Sequence, residues 1–190
     1  MSSALAEPGD AMDQPAAHAS NKNSDEETAA LAAVKQHHSG MLKRLNALTV
    51  TLTHAVKAGD TVAEHDSHAV LVEWCETELL PHALGEEGRL YSVSRNLPQG
   101  KLLVEGLLAE HQVMVSLVEE LRGSAGVDAA VAAGSIRNIF ALHLEKENTL
   151  LVPLIVASPE LSLVAAVEGL DELVGETHVR RHGAGQGDSL

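Results

Sequence analysis

Apolar residues recur along most of this chain at steps of three and four. Leu31, Val34, His38, Met41, Leu42, Leu45, Leu48 and Leu52 form one stripe, and His68, Leu71, Cys75, Leu79, His82, Glu86 and Leu90 form a second. A third runs through Leu103, Val104, Leu107, Leu108, His111, Met114, Val115, Val118 and Leu121, and a fourth through Ile136, Ile139, Phe140, His143, Glu147, Leu150, Leu151 and Leu154. A period near 3.6 places each set on one face of an amphipathic helix. Ser24 with Glu27 three residues on reads as a capping box opening the first helix, and Gly59-Asp60 closes it. Thr61 with Glu64 restarts the pattern. Pro81 lies inside the second stripe, so a kink before His82 or a helix boundary is expected there. The cluster Asn96-Leu97-Pro98-Gln99-Gly100 separates the second and third helices, Gly123 and Gly126 close the third, and the fourth begins near Asp128.

Short connections make sequential helices neighbours, so the pattern predicts an all-α, up-down-up-down antiparallel four-helix bundle over residues 25–157. Residues 158–175 are expected to add a short C-terminal helix. The aperiodic residues 1–24 are expected to be a disordered leader and 176–190 a flexible, Gly-rich tail.

Composition sharpens this picture. Aromatics are 2% of 190 residues against 45% hydrophobic content, so the core must be built from Leu, Val, Ala and Met, which favours helix packing over a β-sandwich. A formal charge of −14 excludes the large basic surface that nucleic acids and anionic membranes demand. No apolar run reaches the ~18–20 residues of a membrane span, and the N-terminus has neither the basic nor the apolar region of a secretory signal. With one cysteine, Cys75, there is no internal disulfide, and the expected setting is cytoplasmic.

The chemistry lies in the polar residues that interrupt the stripes. His82-Ala-Leu-Gly-Glu86 and His143-Leu-Glu-Lys-Glu147 each put an imidazole and a carboxylate on one helix face, about 6 Å apart. His38 and His111 hold inward positions on the other two helices. Buried polar groups cost several kcal/mol unless paired or metal-bound, and six ligand-type residues converge here from four helices. A lone core histidine or a solvated i,i+4 ion pair would explain any one of them but not the set. Four imidazoles and two carboxylates without thiolate suit iron, then manganese or zinc, and exceed one tetrahedral zinc. Carboxylates from two helices are placed to bridge two metals, although ferritin-like bundles use the order Glu-x-x-His, which is absent here. His37, Glu87 and Glu110 adjoin these positions as alternative ligands or groups that orient the imidazoles, and solvated roles for the two glutamates remain open. Tyr91, nine residues past His82, falls off the ligand face. Cys75 reads as a buried apolar residue or a thiol near the metals. His54, His65, His68, His178 and His182 are expected at the surface.

These motifs together resemble the haemerythrin-like, or HHE cation-binding, family. The resemblance rests on His37-His38-Ser-Gly-Met-Leu, on Leu79-Leu80-Pro81-His82-Ala-Leu-Gly-Glu86-Glu87, on Glu110-His111, and on His143-Leu-Glu-Lys-Glu147-Asn followed by Leu151-Val-Pro153-Leu. It covers about residues 28–156. It implies two non-haem iron ions joined by an oxo or hydroxo bridge, with Glu86 and Glu147 bridging and His38, His82, His111 and His143 capping. Oxygen-carrying members have a third-helix His-x-x-x-His, whereas Val115 stands four residues after His111. The missing histidine implies an exchangeable position for dioxygen, peroxide or nitric oxide, and so an oxidoreductase of catalase-like, peroxide- or nitric-oxide-reducing type, or a sensor read by a protein partner or homodimer. Whether the chain is an enzyme stays open at this point.

Overall fold

The computed structural model describes residues 23–168, and all regular elements among them are helical. Helix α1 spans Ser24–Ala58. Helix α2 runs over 61–94 as α-helical stretches Thr61–Trp74, Leu80–Glu86 and Ser92–Ser94 joined by two wide π-turns, Cys75–Leu79 and Glu87–Tyr91. Helix α3 is Pro98–Gly123, and helix α4 covers 126–157 with a π-turn at Glu147–Leu151 between Gly126–Lys146 and Val152–Ala157. A short helix α5 spans Leu163–Val167. Of the expected leader 1–24, residues 1–22 lie outside the described residues while Asn23 and Ser24 already form the start of α1, and the tail and the remainder of the segment expected to reach 175 lie outside as well.

Local chemistry explains the boundaries. Asn23, not Ser24, caps α1, its side chain accepting from the Asp25 N–H at 3.1 Å, and Asp25, Glu26 and Glu27 load the first turn with charge that suits the helix dipole. The expected capping box is absent because Glu27 is buried and committed elsewhere: it accepts from Ser162 Oγ at 2.5 Å and from the Leu163 N–H at 2.8 Å. One carboxylate thereby ties the start of α5 to the start of α1. That start is Leu163 rather than Ser158, since the backbone of Ser158 leaves the helix and Ser162 supplies the cap. Gly59, at φ 66°, ends α1, and Asp60 caps α2 through Ala63 N–H. Helix α4 opens at Gly126, whose N–H donates to Glu64 Oε1 at 2.7 Å, two residues ahead of the expected start at Asp128.

Pro81 marks a boundary within α2, whose second α-helical stretch begins at Leu80. It falls in the first turn after the π-turn Cys75–Leu79, and Pro153 follows the π-turn Glu147–Leu151 in the same way. A turn closed by i→i+5 bonds, seen in Leu80 N–H to Cys75 O and Val152 N–H to Glu147 O, loosens the place where a proline ring would otherwise meet the preceding turn.

Helix α1 packs on α2 and on α4, and α3 packs extensively on α4. Two apolar clusters result. One gathers Met41, Leu45, Leu52, Leu71, Cys75, Leu79, Met114, Val118, Leu121, Ile136 and Phe140. The other gathers Ala30, Val34, Leu90, Tyr91, Val104, Leu107, Leu151, Ile155 and Leu163. Between them, on every long helix, lie the buried polar residues: His38 on α1, His82 and Glu86 on α2, His111 on α3, and His143 and Glu147 on α4. The bundle is apolar at both ends of its core and polar in one layer between. No helix among the described residues is long and apolar enough to cross a membrane.

Candidate metal centre

Each ligand-type residue reaches the layer because its helix turns an inward stripe there, and the two His-x-x-x-Glu pairs each occupy one turn. Glu86 Oε1 lies 3.0 Å from His82 Nε2 and 3.5 Å from His38 Nε2. Its other oxygen, Oε2, lies 3.5 Å from His111 Nε2 and 3.7 Å from His143 Nε2. Glu147 repeats the arrangement, with Oε2 3.9 Å from His38 Nε2 and Oε1 3.5 Å from His143 Nε2. The ligand atoms fall into two groups, His38-His82-Glu86-Glu147 and Glu86-His111-His143, each within 4.8 Å. Glu86 therefore spans both imidazole pairs, and Glu147 reaches one imidazole of each, His38 and His143.

These groups fit a metal better than they fit one another. The two Glu86 oxygens, Glu147 Oε2 and His38 Nε2 are buried yet make no hydrogen bond, a costly arrangement for polar atoms unless a cation completes it. Burial pushes the Glu86 carboxyl up, but the His82 charge and the contacts from His111, His143 and His38 outweigh it and hold the group well below the usual carboxylate range. Burial pushes His143 down, and its contacts with Glu147 and Glu86 overcome this to raise it to about 9. Without a metal, protonated imidazole stands in as the counter-charge.

A second set of contacts aims the imidazoles. His111 Nδ1–H donates to Glu87 Oε1 at 2.8 Å, His143 Nδ1–H to Glu110 Oε2 at 3.1 Å, and His38 Nδ1–H to Asn148 Oδ1 at 2.9 Å. Each acceptor comes from a neighbouring helix and directly adjoins a ligand-type residue in sequence. A fixed Nδ1–H leaves Nε2 as the free donor atom toward the centre. Glu87 and Glu110 are thus bonded rather than simply solvated, although 31% and 17% of their side chains remain exposed, and Lys146 also pairs with Glu110. Asn148 was not singled out from sequence. Its signal was its place directly after Glu147, matching Glu87 after Glu86. His37 is half-buried with its ring 5.3 Å from that of His82, and it is His38 that falls in one group with His82, Glu86 and Glu147.

Tyr91 overturns a sequence expectation. It is buried, and its hydroxyl donates to Glu147 Oε1 at 2.5 Å and lies 3.2 Å from His143 Nε2 and 3.4 Å from His111 Nε2. The nine-residue offset from His82 assumed an unbroken α-helix. The π-turn Glu87–Tyr91 retards the rotation and returns the ring to the ligand face. Burial, reinforced by the Glu86 and Glu147 charges, pushes the phenol far above its usual pKa, so it remains a donor. Val115 is 41% exposed and faces outward, while Met114 is buried. The space beside His111 is therefore occupied by a phenol.

Cys75 belongs to the apolar cluster, and burial followed by the Glu76 charge pushes its thiol up to about 12. His54 and His65 are exposed as expected. His68 is not: it is half-buried, with Nε2 2.7 Å from Leu121 O at the end of α3. His178 and His182 lie outside the described residues.

A helical bundle with a buried layer of imidazoles and shared carboxylates defines a cation-binding protein of all-α type. The hemerythrin HHE cation binding domain matches residues 29–155, and the chain belongs to that family, whose usual cation is iron. Searches of curated proteins and of solved structures returned no match.

Proposed function

We propose that the protein is a non-haem di-iron protein that binds or reduces a small oxidant: dioxygen, hydrogen peroxide or nitric oxide. One observation carries the reading: each of two buried carboxylates sets one oxygen toward the His38 side of the layer and the other toward the His143 side. Two metal positions sharing Glu86 and Glu147 are what that disposition would serve. His38 and His82 would complete one position, and His111 and His143 the other. Bound iron would supply the redox and Lewis-acid chemistry. The chain would supply a dry chamber, fixed imidazoles and, at Tyr91, a proton donor against Glu147.

The proposed architecture is the up-down-up-down antiparallel four-helix bundle. The order of the two apolar clusters supports it, since it reverses from each long helix to the next. The lone, buried Cys75 accords with a cytoplasmic setting. A sensor reading rests on the tie between Glu27 and α5, which offers a detachable segment that a partner could read.

The test is metal analysis of purified protein. About two irons per chain are expected, with Glu86→Gln lowering both occupancies together because both positions share that carboxylate. One zinc, or an E86Q variant that retains one full iron, would overturn the dinuclear reading. Peroxide or nitric oxide turnover by the iron-loaded protein separates enzyme from sensor.

A further inference from the structure

Far along α1 from the metal layer, Thr49, Val50, Thr53, His54 and Lys57 meet Arg137 of α4 around an open pocket of about 240 Å³. Thr49 stands eleven residues beyond His38, or about 16 Å along a helix, so the pocket is separate from the candidate centre.

Its charge is the reverse of the molecule's. The chain carries 27 acidic and 13 basic residues, yet residues 28–59 and 129–144, which include all the pocket-lining positions, contain no Asp or Glu. Among the described residues, neither Lys57 nor Arg137 has a carboxylate within ion-pair distance. Arg137 instead leans on the neutral Asn138 Oδ1, 3.0 Å from its guanidinium. Asp60, three residues past Lys57, turns its carboxylate to the Ala63 N–H at 3.0 Å. Arg122, Arg95 and Lys146, by contrast, pair with Glu76 and Glu119, with Glu105 and with Glu110. The pocket has a second unusual feature. Thr49 is buried, and its Oγ1 makes no hydrogen bond, although Thr53 directly above it bonds back to the Thr49 carbonyl at 2.7 Å.

We propose that this pocket binds a phosphate group. A guanidinium gives paired N–H donors that match a tetrahedral oxyanion, an ammonium adds a point charge, and a buried hydroxyl and an imidazole supply further donors. The absence of competing carboxylates among the described residues leaves these groups to an outside anion. The same chemistry serves inorganic phosphate or the phosphate of a small monoester, and the pocket is open enough to leave a carrier in solvent.

The test uses the full chain, titrated with sodium phosphate at constant ionic strength while backbone amide NMR shifts are followed. Saturable shifts at Thr49–Lys57 and around Arg137 are expected with phosphate and not with chloride. Arg137→Gln should weaken the apparent affinity about tenfold to a hundredfold, the worth of a charged hydrogen-bonded contact, and Thr49→Val should weaken it less. Glycerol phosphate distinguishes the two sources: tighter binding than inorganic phosphate assigns a monoester, and weaker binding assigns the free ion. Equal shifts with chloride, an unchanged affinity in R137Q, or a response to poly-glutamate but not to phosphate would overturn the proposal. Unchanged melting of R137Q and T49V shows that any loss is local.

Discussion

Replacing Tyr91 with Phe removes one oxygen from the middle of the polar layer and little else. The ring packs in the apolar cluster with Leu90, Leu107 and Leu151, so its volume is kept and no sizeable cavity opens. What is lost is a donor to a buried carboxylate at 2.5 Å. Hydrogen bonds to charged groups are worth about 1.5–3 kcal/mol, and a buried acceptor left short of a donor costs a similar amount. For a chain of this size each kcal/mol moves the melting temperature about 2–4 °C. The metal-free Y91F protein should therefore melt roughly 3–12 °C below the metal-free wild type. Metal loading should shrink the gap, because a cation beside Glu147 replaces the lost donor as the carboxylate's partner. Melting followed by far-ultraviolet circular dichroism, on chelator-stripped and iron-loaded samples of both proteins, measures all four values. Equal melting of the two stripped proteins would show that the phenol–carboxylate contact carries no stability. A loss as large in loaded protein as in stripped protein would refute the claim that phenol and metal serve the same carboxylate.

Glu87→Gln and Glu110→Gln should each weaken metal affinity by about 10- to 100-fold, since each acceptor holds an imidazole's Nδ1–H; competition with a chromophoric chelator reads this, and wild-type affinity in both would show that the contacts orient nothing. Glu27→Ala strips the acceptor from Ser162 Oγ and Leu163 N–H and should cost about 1–3 kcal/mol, seen as a lower urea midpoint and faster proteolysis within 158–163. In metal-free protein, stability from His143 is fully present below 6.5 and is lost as pH rises toward about 9. The neutral Cys75 thiol contributes from below 9.0 and its contribution is lost toward about 12. Cys75→Ala should thus flatten only the upper limb of the stability–pH curve, and a change confined to the lower limb would contradict the assignment.

The six central residues were legible because their signals are short-range. A His-x-x-x-Glu pair needs one regular turn to put its two groups on one face, and His38 and His111 needed only the period of the apolar residues around them. Tyr91 was not legible, because its position depends on a π-turn beginning directly after Glu86, and no residue type marks such a turn. Periodicity put both Met114 and Val115 on the inward stripe, and of these adjacent positions the core takes only Met114, with Val115 at its edge and 41% exposed. The Ser24/Glu27 capping signature was present in the chain but was overridden by a tertiary contact, since Glu27 finds stronger partners in residues more than a hundred positions away. The irregularity at Pro81 was legible in the chain, but not its form, a π-turn that ends at Leu79.

Helices α2 and α4 are built to one plan around the layer, and the point where they differ bears on function. In each, a His-x-x-x-Glu turn leads into a π-turn, and the residue five past the glutamate is buried: Tyr91 after Glu86, Val152 after Glu147. Only α2 places a hydroxyl there, and it bears on His111, His143 and Glu147 Oε1. The His38–His82 half has instead the edge-on ring of Phe140, 6.2 Å from His82. Phe140 also stacks on His143 at 6.5 Å, and the His37 ring lies 5.3 Å from His82, so the hydroxyl of Tyr91 is what makes the two halves chemically unequal.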